Sequence, residues 1–270
     1  MGPVSRIDGR LLRAHFSAHA HDYDRYAAVQ KRVVSHLAGR IAAAGPLTGL
    51  VLDVGTGTGA LAAELGGSGA GCTFVLTDIA HGMTAAAAQR LAGSLPCDGD
   101  AGKLPFKNSS FDTIVSSSVY QWVSDLPGAF GEVARLLRPG GRFAVALFGE
   151  RTLCELRDAH RRAVDACGGC RGSHVQSFPA AGEVAAALAT AGLVCRDFAV
   201  YPETDWHPDV PSLLRQLKQI GASNAAADRP RGLASRQVMQ RMIALYEACH
   251  RRPQGLPATY EVVCAIAEKC

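Results

Sequence analysis

From Leu50 onward, short apolar runs alternate with longer amphipathic segments, and each run stops at Gly, Asp or Ser. That rhythm predicts an α/β fold, a mostly parallel sheet with helices on both faces. Strands are predicted at Leu50–Val54, Thr73–Thr77, Thr113–Ser116 and Arg142–Phe148. Between the last two, Asp125 can cap a helix that carries Pro127 in its first turn and Phe130, Val133 and Leu137 at helical spacing. Arg138-Pro139-Gly140-Gly141 then reads as the turn into the next strand. A helix over Ala180–Ala191, a strand over Leu193–Tyr201 and a last strand over Thr259–Ala267 continue the rhythm.

Two regions depart from it. Residues 11–44 read as helical before the first strand, and residues 209–252 as two helices inserted before the last one. In the second insert helix, Val238, Met242, Leu245 and Cys249 share a stripe while Arg236, Gln240 and Arg241 face elsewhere. The chain is therefore divided into an N-terminal helical segment (1–48), a core (49–207), a helical lid insertion (208–252) and a closing strand (253–270). The insertion is expected above the carboxyl ends of the strands, where ligands bind in open α/β sheets.

With 48% hydrophobic and 19% charged residues in 270, the composition is globular and excludes intrinsic disorder. The longest stretch without a charged residue, Leu65 to Thr77, falls short of the roughly 20 residues of a membrane span, so no membrane role is expected. No apolar run of signal-peptide length precedes His15, and nine scattered cysteines, an odd number, point to reduced thiols in the cytoplasm. Cys167 and Cys170 form a CxxC without a second pair, and His19 and His21 cannot share a helical face, so no metal is expected. A net charge of +4 is too small to indicate nucleic acid. Its distribution is uneven, because residues 208–252 hold eight Lys or Arg against three acids.

The run Asp53-Val54-Gly55-Thr56-Gly57-Thr58-Gly59 ends the first strand and opens a helix. Its glycines permit a tight turn and close approach of a ligand to backbone, and with Ala60 they also satisfy the dinucleotide pattern. Asp53 separates the two readings: a carboxylate just before the first glycine would repel a pyrophosphate but suits the cationic end of S-adenosylmethionine. Asp78, after the second strand, is placed to accept hydrogen bonds from ribose hydroxyls, with Ile79 packing on the adenine. Asp100 is a candidate for the adenine amino group.

Through DVGTGTG, the Asp78 strand end, GDAGKLPF, SFDTIVSSSVYQW and LLRPGGRF, the chain resembles the class I S-adenosylmethionine-dependent methyltransferases. HFSAHAHDYDRYAAVQ, ALFGERTLCEL, LLRQLKQIGASNAAADRPRGL and LPATYEVVCAIAEK narrow this to a likeness to the malonyl-acyl-carrier-protein O-methyltransferases of biotin synthesis. The resemblance implies a Rossmann-like seven-stranded sheet with a reversed last strand, once a weak strand near Leu95 is allowed. It also implies S-adenosylmethionine as cofactor, S-adenosylhomocysteine as product, and malonyl carried on acyl carrier protein or coenzyme A as acceptor. Thr56, Met83, Ala101 and Ser117 complete the candidate cofactor set with Asp53, Gly55, Gly57, Gly59, Asp78, Ile79 and Asp100.

An acceptor carboxylate is already ionised at neutral pH, so positioning rather than a general base is expected to dominate. Arg231 is the candidate to hold the acceptor, Tyr23 to close over the methionine part from a helical face shared with Phe16 and Gln30, and Gln121 and Trp122 to line the acceptor side. Arg215, Lys218, Arg241, Arg251 and Arg252 are the candidate docking surface for an acidic carrier protein. The chain is expected to act as a monomer. A methyltransferase acting on another small acid or a quinone-like carbon, and a non-catalytic assembly factor on the same fold, are the competing readings.

Overall fold

The computed structural model describes residues 8–66, 71–168, 177–221 and 236–270. The apolar runs form strands β1 (Gly49–Val54), β2 (Cys72–Asp78), β3 (Leu95–Asp98), β4 (Phe111–Ser117), β5 (Leu137–Phe148), β6 (Leu193–His207) and β7 (Leu256–Lys269). They make one sheet in the order β3-β2-β1-β4-β5-β7-β6. The first five strands pair in parallel, and β7 enters antiparallel between β5 and β6. The reversed last strand is the arrangement expected, and the weak run at Leu95 is the edge strand.

Ten α-helices and a short 3-10 turn at Tyr120–Trp122 accompany the strands among the described residues: α1 (Gly9–His19), α2 (Tyr23–Tyr26), α3 (Ala28–Ala43), α4 (Ala60–Gly66), α5 (His81–Arg90), α6 (Leu126–Leu136), α7 (Cys154–Ala166), α8 (Ala181–Thr190), α9 (Val210–Gln219) and α10 (Arg236–His250). Successive strand residues point to opposite faces, so Val51 joins a core with α3, α4 and α7, while Leu52 and Val54 join one with α6 and α8. The whole of β4 from Thr113 to Ser116 is buried, as a strand covered on both faces must be. Asp125 does cap α6, accepting from the Gly128 amide at 3.0 Å.

Several boundaries differ from the sequence reading. The single N-terminal helical stretch is three helices, broken around His21 and at Ala27. Arg138–Gly141 does not leave the sheet; β5 already begins at Leu137, which pairs with Phe111 before the register shifts. β6 and β7 continue as a hairpin to the His207–Leu256 pair, past the part of β7 that β5 covers. Pro202, just past the predicted strand end at Tyr201, is tolerated inside β6 because β6 is an edge strand. On α10 the buried stripe is Val238, Met242 and Tyr246, with Leu245 partly buried and Cys249 exposed. The Tyr246 hydroxyl donates to the Pro257 carbonyl at 2.7 Å, which is what draws an amphipathic ring inward. Among the described residues, no helix is long and apolar enough to cross a membrane.

Tyr120, which follows β4, packs edge to face with Phe130 of α6 and Phe143 of β5, and those two with each other, with centroids 5.1, 5.8 and 5.2 Å apart. All three are fully buried, and the Tyr120 hydroxyl has no hydrogen-bond partner among the described residues. Phe143→Ala should therefore destabilise the protein by about 3–5 kcal/mol in urea unfolding. Tyr120→Phe, which removes only an unsatisfied hydroxyl, should leave stability within about 1 kcal/mol of native or raise it. A larger loss would show that the hydroxyl has a partner.

Candidate cofactor and acceptor site

The carboxyl ends of β1, β2 and β4 open into a cavity of about 290 Å³. Its floor is the loop between β1 and α4. Gly55 has φ +64°, and a Cβ there would lie 2.3 Å from a Val119 methyl, so only glycine fits. Gly57, at φ +53°, has open space where a Cβ would be, which leaves its backbone bare to a ligand. Gly59 does not line the cavity; it seats the loop against Ala87 of α5.

Two carboxylates sit in this floor. Asp53 is 1% exposed and accepts from the Thr56 hydroxyl at 2.8 Å. Burial, reinforced by the charge of Asp78, pushes its pKa up to about 7 despite that hydrogen bond. Asp78 accepts from the Gly57 amide at 3.0 Å and the Ala80 amide at 2.8 Å. Its pKa rises to about 6, with burial again the largest cause. Each carboxylate oxygen of Asp78 spends one lone pair on backbone and keeps another for a ligand. Asp100 lies on the exposed rim, its Oδ1 taking the Gly102 amide at 2.8 Å.

Ile79, Met83, Ala101 and Ser117 all line the same cavity. Of the residues expected on the acceptor side, Trp122 lines it, and Gln121 does not. The Gln121 side chain is buried and donates to the Ser118 carbonyl at 2.7 Å. Ser117 and Ser118 bring hydroxyls that find no partner among the described residues, and Ser118 holds a left-handed backbone at φ +60°. Arg231 falls outside the described residues.

The roof comes from three separate helices: Leu12 and Phe16 of α1, Tyr23 and Asp24 of α2, and Gln30 of α3. Phe16, Tyr23 and Gln30 thus meet at one cavity without sharing a continuous helix. Phe16 stands edge-on to Tyr23 and to Trp122, with centroids 6.4 and 6.0 Å apart. Burial, with the charges of Asp78 and Asp24, pushes the Tyr23 hydroxyl up, so it remains protonated and can donate. The sequence reading missed Asp24, Thr58 and Arg90. Thr58 donates to Asp24 at 2.6 Å, Arg90 donates to the Thr58 hydroxyl at 3.2 Å, and Arg90 also pairs directly with Asp24. Burial of Asp24 opposes its charge, but hydrogen bonds from Thr58 and Arg90 outweigh it and lower its pKa.

Buried acids, bare glycine backbone and unpaired hydroxyls fit a cationic nucleoside such as S-adenosylmethionine. They do not fit a pyrophosphate, which the two acids would repel. Because both floor acids have pKa values raised above those of the unfolded chain, the free protein holds extra protons between about pH 4 and about pH 7, and its stability falls as pH rises through that window. A ligand bearing an ammonium group binds the ionised acids and must displace those protons. Affinity for S-adenosylhomocysteine by calorimetry should weaken about tenfold between about pH 8 and about pH 6. Asp53→Asn should weaken binding and flatten the profile, and a native profile already flat would contradict the raised carboxylates.

Residues 52–145 match the family described as methyltransferase domain. The chain is 40% identical over 266 residues to a malonyl-[acyl-carrier protein] O-methyltransferase of Geobacter sulfurreducens, covering 97% of this chain and 100% of that protein. A protein of the same name from Methylococcus capsulatus is 34% identical, with 100% and 97% covered. Among solved structures, the YcgJ protein of Bacillus subtilis superposes with a TM-score of 0.61 at 17% identity, over 87% of this chain and 98% of that one, a likeness of fold. With the same sequence pattern running the length of both bacterial relatives, this chain belongs to the malonyl-acyl-carrier-protein O-methyltransferase family of S-adenosylmethionine-dependent enzymes.

Proposed function

We propose that this protein methylates the free carboxylate of malonyl-acyl-carrier protein, giving the methyl ester and S-adenosylhomocysteine at an early step of biotin synthesis. The observation that carries this reading is the end-to-end match to relatives bearing that name. When bound, S-adenosylmethionine supplies a methyl carbon on a sulfonium; the acceptor oxygen bonds to that carbon as the carbon–sulfur bond breaks, its electron pair going to sulfur. No proton moves.

The chain's own residues therefore position and desolvate. Asp53 meets the ammonium end of the cofactor, and Asp78 the ribose hydroxyls with the lone pairs its backbone bonds leave free. Ile79 and Met83 pack on the adenine side, and Asp100 and Ala101 lie at its edge. Phe16, Tyr23 and Trp122 form an apolar screen that strips water from the acceptor carboxylate, a nucleophile that water blunts. Alignment of this kind can contribute about 7–11 kcal/mol, and the acceptor carboxylate, already ionised, needs no general base. Arg231 remains the residue proposed to hold the acceptor's far oxygen.

Purified protein given S-adenosylmethionine and malonyl-acyl-carrier protein should add the mass of one methyl in place of one hydrogen to the acyl group. Acetyl-carrier protein, lacking a free carboxylate, should gain nothing. Equal methylation of both, or of neither, would defeat the assignment.

The carrier is proposed to dock on the basic surface of the insertion. Within it, Arg251 pairs with Glu247 at 3.3 Å and Arg252 turns its guanidinium to the Arg251 carbonyl. Arg215 donates to the Ser212 hydroxyl, while Lys218 and Arg241 form no ion pair among the described residues. Unpaired charges contribute most to encounter, so Lys218→Glu with Arg241→Glu should raise KM for the carrier-bound acceptor about tenfold. Affinity for S-adenosylhomocysteine should stay native, and an unchanged KM would move docking elsewhere.

A further inference from the structure

The roof of the cavity is weakly anchored by apolar packing. α1 fully buries Leu12 alone, α2 fully buries no residue though Tyr23 is partly buried against Phe16, and Leu12, Phe16 and Trp122 form a small cluster apart from the two main cores. What fixes α2 is polar. From one side Gln216 of α9 donates to the Tyr26 carbonyl at 3.1 Å. From the other, Asp24 is gripped by Thr58 and Arg90.

Of the two gripping residues, Thr58 belongs to the cofactor floor and Arg90 to a helix whose other end lines the cavity. Thr58 follows Gly57, whose amide holds Asp78, and Arg90 ends α5, whose first turns carry Met83 into the cavity. Arg90 also donates to Thr58, so the three side chains form a closed triangle joining the roof, the glycine loop and α5. The side chains of Asp24 and Arg90 are 31% and 37% exposed, so water can compete for the pair and the triangle can open. Tyr23 is the next residue in the same short helix, and its ring goes where the triangle holds it.

We propose that Asp24 is a positioning residue whose carboxylate, gripped by Thr58 and Arg90, latches the N-terminal roof over the cofactor cavity and sets how fast the cofactor product leaves. The inference rests on the proposed cofactor reading of the cavity. Closing the latch places Tyr23 and the Phe16–Trp122 pair over the reacting atoms and keeps water out; opening it frees α1 and α2 for exchange.

The experiment follows release of S-adenosylhomocysteine by stopped flow. Trp206→Phe leaves Trp122, beside Phe16 of the roof, as the single tryptophan of the chain and the reporter of roof position. In that background Asp24→Ala and Arg90→Ala should each speed release about tenfold, and the double variant little more than either alone, because the charge-assisted pair is lost once. Trp122 emission in the bound state should shift to the red in all three. Added salt should speed release from the parent and not from the variants, a response that simple structural damage would not cancel. Should Asp24→Ala fail to fold, Arg90→Ala with Thr58→Val carries the same test. Native release rates and native Trp122 emission in the variants would overturn the latch while leaving the cofactor reading intact. A native protein that binds no S-adenosylhomocysteine would overturn both.

Discussion

Two carboxylates buried within one loop's reach of each other are the constraint around which the site is organised. Asp53 and Asp78 end adjacent parallel strands, so the sheet brings like charges together and takes them out of water at once. Burial is the larger part of the cost of ionisation for both; the charge of Asp78 adds to it at Asp53 and the charge of Asp98 adds to it at Asp78, which places the pKa values at about 7 and about 6. The fold offsets that cost only in part, with the Thr56 hydroxyl and backbone amides, among them those of Gly57 and Ala80. The remainder is a standing demand for positive charge and hydrogen-bond donors, which is what a sulfonium nucleoside with an ammonium group and ribose hydroxyls brings. A fully satisfied pair of acids would have made a more stable protein and a poorer binding site.

The same loop explains why the glycines matter beyond giving the ligand room. Gly57 donates to Asp78 and precedes Thr58, which grips Asp24 of the roof. One turn of backbone thus connects the second strand end, the cavity floor and the N-terminal helices.

Legibility in the sequence followed the range of the interactions. The parallel core could be read because its strands are covered on both faces and so appear as unbroken apolar runs that stop where the chain meets the site. Asp53 and Asp78 could be read because they stand at those stops. The hairpin beyond Tyr201 could not. Pro202, Glu203 and Asp205 look like a loop, yet Arg32 of α3 pairs with Glu203 at 2.8 Å and the partner strand supplies the ladder. The breaks in the N-terminal helices were equally hidden, since neither glycine nor proline marks them. Between them stands Asp24, held by contacts 34 and 66 residues away, with Thr58 and with Arg90, that no local pattern announces. Arg90 itself looked like an ordinary cation at a helix carboxyl end.

A roof carried by three separate helices, only the first two of them slightly anchored, suits a reaction that needs no proton transfer. A general base must sit within hydrogen-bond reach of one atom, and a rigid strand end serves that best. Here the enzyme's work is to exclude water and align three atoms, then to release a product nearly as large as its cofactor. A continuous helix over residues 11–44 would have been the more stable roof, but it would have had to unpack from α4 and α5 as one body at every turnover. Breaking it around His21 and at Ala27 confines the moving part to α1 and α2, whose apolar anchorage is slight, and leaves α3 packed in the core with Val33 and Leu37 fully buried. What apolar packing does not hold, a charge pair about one-third exposed holds reversibly. The local weakness of the fold falls where the reaction cycle requires movement.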